Sequence, residues 1–483
     1  MNELTYDQRA DIGFEYVRGL LVTSSPYGAK EVRHLRFYEP DEREALEREL
    51  NNVERVKNTL ETYAQEYELL DRVFTQLKDI RHSIRRCEHG VLSEVELFEI
   101  KQFLLQLSVI APVFQTIVAE AGLFDMELTD AAEALQKLDM DGEKSATFYI
   151  GENLSPALSS IRREKREIEK RIREAQGEMR DALLRERALL AAREDEEETR
   201  IRALLSEQLR PYMYELLQNT DAIARFDFTV ARARLAYAYR SEKPELCESG
   251  VTILGMENPR VADALKKRQK AFTPVSMALE RGAAVITGAN MGGKSVALKT
   301  LALNVLLTHA GIFPFARAMK TQLFDGVFLL FEDLENAEKG LSSFGAEIVR
   351  LNEILRECGE HGLILLDEFA RGTNPYEGAQ IVRAVVKRLN AMACVSVVTT
   401  HYDHVAEYAN AHYQVAGLRG ADMEEVKKEI AASAGRGVDV VAKHMNYGLI
   451  RAEKDNPCPR DALNICRLLG LDATVMAEIE KLY

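Results

Sequence analysis

Residues Thr287-Gly288-Ala289-Asn290-Met291-Gly292-Gly293-Lys294-Ser295 end an apolar run, Ala283 to Thr287, and open a helix-like stretch, Val296 to Leu307. Strand, glycine-rich turn and helix in that order describe a phosphate-binding loop. Glycines let backbone N–H groups turn toward phosphate, the helix N-terminus adds a favourable dipole, Lys294 reaches the outer phosphates, and the Ser295 hydroxyl is placed to ligand Mg²⁺. Gly288, Asn290, Met291, Gly292, Gly293, Lys294 and Ser295 are therefore the residues expected to hold a nucleoside triphosphate. An ordinary surface turn is the competing explanation. With glycine at its usual frequency the bare pattern arises by chance in about 2% of chains this long, and less often between a strand and a helix.

Other features bound what surrounds that loop. A chain of 483 residues with 46% apolar composition exceeds a single hydrophobic core, so two or more globular domains are expected. No apolar run reaches 18 residues and Met1-Asn2-Glu3-Leu4-Thr5 has no secretory pattern, which predicts no membrane partner and a cytoplasmic location. The six cysteines are scattered without a CxxC, as reduced thiols are. A formal net charge of −14 argues against a surface that broadly embraces nucleic acid, while leaving room for a local basic patch.

The first half reads as helical. Leu46, Leu50, Val53, Val56 and Leu60 recur at three to four residues, as do Leu69, Val73, Leu77 and Ile80, and Ser93 with Glu96 predicts a capping box at a helix start. Residues 156–209 are dense in Arg and Glu around a heptad-like stripe of Ile161, Ile168, Ile172, Ala175, Met179, Leu183 and Leu190, the pattern of a coiled coil. The stripe lapses at Glu194-Asp195-Glu196-Glu197-Glu198 and resumes at Ile201. One long helix fits, as does a hairpin turning near Gly177 or the acidic run. Beyond about residue 245 short apolar strands alternate with helices, predicting a parallel α/β sheet. The expected division is a helical core over 1–155, a coiled-coil lever over 156–209, more core over 210–245 and a nucleotide-binding domain over 246–483.

A second buried strand, Leu363-Ile364-Leu365-Leu366, runs into Asp367-Glu368 and so puts two carboxylates at a strand's carboxyl end, where ligands of open α/β sheets bind. Asp367 is expected to hold Mg²⁺ and Glu368 to orient or deprotonate the attacking water. A third strand, Cys394 to Val398, leads to Thr399-Thr400-His401, where His401 is placed to sense the γ-phosphate. Between the phosphate-binding loop and Asp367-Glu368, Ser342 and Ser343 precede a helix carrying Ile348, Leu351 and Ile354. This order matches the ATP-binding-cassette plan, in which the helix N-terminus meets the γ-phosphate bound to a second subunit. Such a site needs a dimer.

At this level of detail the chain resembles the MutS family. The family's TGPNMGGKST corresponds to Thr287 through Val296, its STFxxE to Ser342-Ser343-Phe344 and Glu347, its LLDExGRGTSxxDG to Leu365 through Gly378, and its THY to Thr400-His401-Tyr402. The resemblance implies an ATPase using ATP and Mg²⁺, a homodimer with Ser342 acting in trans, and Phe272 stacking on the adenine. Thr23-Ser24-Ser25-Pro26-Tyr27-Gly28 and the stretch Ser155 to Arg162 look like the core and lever of the branch that includes the Smr-bearing paralogues. Set against the family, the chain is expected to be compact, without mismatch-recognition, connector, clamp or Smr modules. Ala289 and Val296 replace the family's Pro and Thr.

Family resemblance implies mismatch repair, yet the modules that read a mismatch are those expected to be missing, so fold and task are kept apart. The leading expectation is an ATPase whose core and lever transmit ATP-driven dimer closure to a macromolecular partner, DNA among the candidates. A ribosome- or branched-DNA-acting factor is one alternative. Another is a protein-remodelling ATPase, similar in architecture to those proposed to reactivate cobalamin-dependent lysine or ornithine aminomutases. A DNA role predicts a basic stripe on the core or lever, a protein-remodelling role an acidic or apolar one.

Overall fold

The computed structural model describes residues 4–139, 150–288, 293–331, 343–419, 421–432, 437–454, 456 and 461–482. Asn290, Met291, Gly292 and Ser342 lie outside them. The chain divides into two compact units, one of Met1–Leu21, Leu35–Glu54 and Arg232–Tyr483, the other of Val22–His34 and Arg55–Ala231.

The first unit is α/β. Its strands are β1 (Glu245–Leu246), β2 (Val251–Met256), β3 (Val275–Leu279), β4 (Gly282–Thr287), β5 (Ala318–Thr321), β6 (Gly326–Leu330), β7 (Gly362–Leu366), β8 (Val395–Thr400), β9 (Ala411–Gly417) and β10 (Asn446–Ala452). Two sheets result, ordered β1-β5-β2-β3 and β10-β9-β4-β8-β7-β6. In the larger one β9, β4, β8, β7 and β6 are parallel and only β10 is antiparallel. The sheet is therefore mixed, where the sequence predicts a parallel one. Strands β4, β6, β7 and β8 are buried at every position, as parallel strands covered on both faces must be. One face packs Val285, Ile364, Leu366 and Val398 against Leu351 and Ile354 of the helix Ser343–Glu357 and Val382, Val386 and Leu389 of the helix Pro375–Asn390. Thr287 lies opposite Thr400, and Leu366 opposite Val398 and Leu330, so the carboxyl ends of the four strands fall within two residues of one another.

The second unit is helical in every element assigned to it. Its longest apolar helix, Glu94–Ala121, starts in the predicted capping box of Ser93 and Glu96 and ends at Gly122, whose φ of 64° suits glycine. By length and composition this helix could cross a membrane. Here it buries Leu97, Ile100, Phe103, Leu107, Ile110, Phe114 and Ile117 within the unit, and its Lys101 pairs with Asp139 at 3.0 Å. Phe226 packs on Tyr67, Phe74 and Phe114, with ring centroids 4.5 Å apart in the last pair. Beside it the buried carboxylate of Asp227 accepts from the Ser24 and Ser25 N–H groups and the Ser25 hydroxyl. Burial raises its pKa even so. A Cβ at Gly28 would come 2.3 Å from Asp227 Oδ2, which those donors hold in place. Gly28→Ala is expected to cost about 2 kcal/mol through overpacking, read as a lower thermal midpoint; an unchanged midpoint contradicts this packing.

The Arg/Glu-rich segment is a hairpin. Helices Pro156–Glu174 and Glu178–Leu209 meet at Gly177, which takes a φ of 58°. Ile161, Ile168, Leu183 and Leu190 form their shared apolar seam, with Ile172 and Ala175 beside it. Met179, expected in that seam, is instead 62% exposed, because the turn at Gly177 breaks the stripe just before it. The acidic run is a counter-ion and not a break: Arg162 pairs with Glu194 and Glu198, both at 2.8 Å, and Lys165 pairs with Glu194. Arg187 pairs with Glu169 nearer the turn, so the two helices run antiparallel.

Candidate active site at the carboxyl ends of the parallel strands

β4 delivers the chain into Gly288, whose backbone φ is 153° and where an added Cβ would come 2.9 Å from the Val415 side chain of β9. Glycine is required there by space. Gly293, at φ 81°, then caps the helix Lys294–His309, which is buried along most of its length. Lys294 is consequently a cation with only 3% of its surface exposed. Such a charge must be paired. Its Nζ donates to the Gly288 carbonyl at 2.7 Å and lies 3.0 Å from Glu368 Oε1.

β7 ends in Asp367 and Glu368. Asp367 N–H continues the sheet by donating to the Leu330 carbonyl at 2.9 Å. The chain then turns sharply, with Glu368 at φ 46° and Ala370 at φ 63°, conformations that non-glycine residues rarely adopt and that cluster at functional sites. Three side chains hold the turn. Thr399 of β8 accepts from Glu368 N–H at 2.9 Å and donates to Asp367 Oδ1 at 2.6 Å; Glu347 accepts from Ala370 N–H at 2.9 Å; and the Tyr402 hydroxyl donates to the Ala370 carbonyl at 3.1 Å. Glu368 Oε2 is 3.1 Å from Arg371, so both oxygens of this carboxylate face cations.

Ser295, Glu347, Asp367, Glu368 and Arg371 line one cleft of about 440 Å³ with Leu330, Phe331 and Gly372. His401 is half-buried at the end of β8, its ring tilted against that of Tyr402 with centroids 4.4 Å apart, and its buried Nδ1 has no hydrogen-bond partner among the described residues. Burial holds its pKa below the ordinary histidine range; Glu368 opposes that shift, while Lys294 and Arg371 add to it. The ring is thus neutral near pH 7. Phe272 is half-buried in the segment leading into β3 and does not line this cleft. Ser295, Lys294, Asp367 and Glu368 are thus gathered in space from distant parts of the sequence. Thr399 and Arg371 were not foreseen as site residues; their signal lies in standing two residues before His401 and three after Glu368.

Residues 284–465 match the family model described as MutS domain V. The chain thus carries a MutS domain V. That domain carries the family's ATPase. Among curated relatives, the protein named Endonuclease MutS2 of Thermomicrobium roseum is 34% identical over 307 residues, covering 61% of this chain and 36% of its own. The MutS2 of Shouchella clausii is 28% identical over 421 residues, covering 84% and 46% respectively. The MutS2 of Listeria monocytogenes is 34% identical over 298 residues, covering 62% and 35%. The chain spans less than half the length of these relatives. The MutS match contains every residue lining the cleft, from Ser295 to Gly372, and His401 beyond it.

Proposed function

We propose that this MutS-type ATPase couples ATP binding and hydrolysis, shared across a homodimer interface, to a conformational change that acts on a macromolecular partner, and that the partner is DNA. In this reading Lys294 and the loop from Gly288 to Ser295 hold the triphosphate, with Phe272 against the adenine and Ser342 reaching the γ-phosphate bound to the other subunit. Ser295 and Asp367 offer a hydroxyl and a carboxylate oxygen to one cleft, the hard donors that Mg²⁺ takes, so they are the residues to hold it. Bound there, Mg²⁺ neutralises phosphate charge. Glu368 orients and deprotonates the attacking water, and neutral His401 reads the γ-phosphate. The helical segments 1–155 and 210–245 serve as core, the hairpin over 156–209 as a coiled-coil lever, and 246–483 as the ATPase domain of a cytoplasmic protein.

The observation that favours DNA is the charge of the part of the hairpin before its acidic run, since residues 156–209 as a whole balance thirteen Lys or Arg against thirteen Asp or Glu. In a chain of net −14, residues 156–193 carry eleven Lys or Arg against seven Asp or Glu. Arg163, Arg171, Arg173, Arg180, Arg185 and Arg193 are exposed and make no ion pair among the described residues. Exposed arginines without counter-ions suit phosphate, and by themselves they read no bases. Binding is therefore expected to be indifferent to sequence and steeply reduced by salt. Changing Arg171, Arg173, Arg180 and Arg185 together to Ala should weaken binding at least tenfold near physiological salt and flatten the slope of log K against log salt by about 3–4. Fluorescence anisotropy with matched and mismatched duplexes across a salt series measures both. A mismatch preference of tenfold, about 1.4 kcal/mol, restores mismatch recognition as the task. The protein-remodelling alternative draws on Met179, Leu184 and Leu189, which are exposed on the same hairpin; no detectable duplex binding even at low salt removes the DNA reading in its favour.

A further inference from the structure

His412 is a buried histidine, 1% exposed, that the nucleotide chemistry above leaves without a task. It stands in β9 opposite Val285 of β4, so its side chain shares a sheet face with Thr287 two residues further on. The ring bridges two elements. Nδ1 lies 2.6 Å from the carbonyl oxygen of Glu453, just past β10, and Nε2 lies 2.8 Å from the Thr287 hydroxyl. A carbonyl can only accept, so the proton is assigned to Nδ1; burial lowers the ring's pKa, so Nε2 is bare and accepts from Thr287. Thr287 is the last residue of β4, and the next is Gly288, whose carbonyl takes the hydrogen bond from Lys294 and where a side chain would collide with Val415 of the same β9. A continuous path thus runs from β10 through His412 and Thr287 to the lysine of the nucleotide site.

We propose that His412 is a positioning residue for ATP: by clamping Thr287 between β4, β9 and the end of β10, it sets the Gly288 carbonyl and with it the ammonium of Lys294, so that triphosphate meets a preformed entry. A histidine that merely fills the core would alter stability alone. Positioning of the binding site alters nucleotide affinity, which appears in KM with little change in kcat. The two partners of one hydrogen bond must also act non-additively.

The test compares His412→Leu, Thr287→Val, Thr287→Ser and the Leu/Val double variant, using steady-state ATP hydrolysis, equilibrium binding of a fluorescent ATP analogue, and thermal melting. His412→Leu and Thr287→Val are each expected to raise KM and Kd about tenfold with kcat within twofold. Thr287→Ser, which keeps the hydroxyl, should stay within twofold of the parent, and the double variant within twofold of either single one. Three outcomes overturn the proposal: unchanged KM with only a lower melting temperature, Thr287→Ser as impaired as Thr287→Val, or a double variant in which the effects multiply toward a hundredfold. Should His412→Leu fail to fold, the near-isosteric Thr287 pair decides alone. No DNA enters these assays, so their result is separable from the identity of the partner.

Discussion

Lys294→Ala is expected to abolish measurable ATP turnover, a loss of at least about a hundredfold or ~2.7 kcal/mol of transition-state stabilisation. The ammonium is buried and stands between the Gly288 carbonyl and Glu368, so no neighbouring cation fills its place. Arg371 is on the other side of the same carboxylate, half-exposed, and it already engages Oε2. Truncation leaves the folded core of β4, β7 and β8 untouched, so thermal melting should move by only a few degrees while phosphate release falls to background. Turnover at the parental rate would remove Lys294 from the site altogether.

Glu368→Gln separates hydrolysis from binding. Glutamine keeps the size of the side chain and loses the charge, so it can neither take a proton from water nor repel phosphate. Hydrolysis should fall about a hundredfold or more, the range for loss of a general base, while ATP stays bound and the ATP-held dimer accumulates. Light scattering with and without ATP reads the dimer, and filter retention of radiolabelled ATP reads occupancy. A variant that remains monomeric at every ATP concentration yet turns over like the parent contradicts both the base and the shared site.

Short-range patterns made the centre of this fold legible. The continuous apolar runs at Ala283–Thr287, Leu363–Leu366 and Val395–Val398 fall in strands, and Ser93 with Glu96 starts a helix, because burial on both faces and end-capping leave local marks. β9 and β10 left weaker ones. β9 buries His412 and Gln414, which read as surface residues until their partners are known, and β10 is half-exposed with no apolar run. The hairpin turn was ambiguous for a similar reason: whether the run Glu194 to Glu198 ends a helix depends on Arg162 and Lys165, some thirty residues earlier. At the site, residue types announced Lys294, Asp367 and Glu368. What they could not announce was the hold of Thr399 on both Asp367 and Glu368 N–H, or that of Glu347 on Ala370, since these join segments that only the folded sheet brings together.

The ion pairs of Glu368 also mean that an incoming nucleotide does not meet a vacant cation. The site carries its own anion, tethered at effectively high local concentration, and on the proposed assignment phosphate must exchange with it on Lys294. Any affinity measured for ATP is therefore a difference between two anions, discounted by however firmly the glutamate holds. Release of products becomes a return to an internally neutralised state, so the enzyme need not leave a bare buried charge behind when phosphate departs.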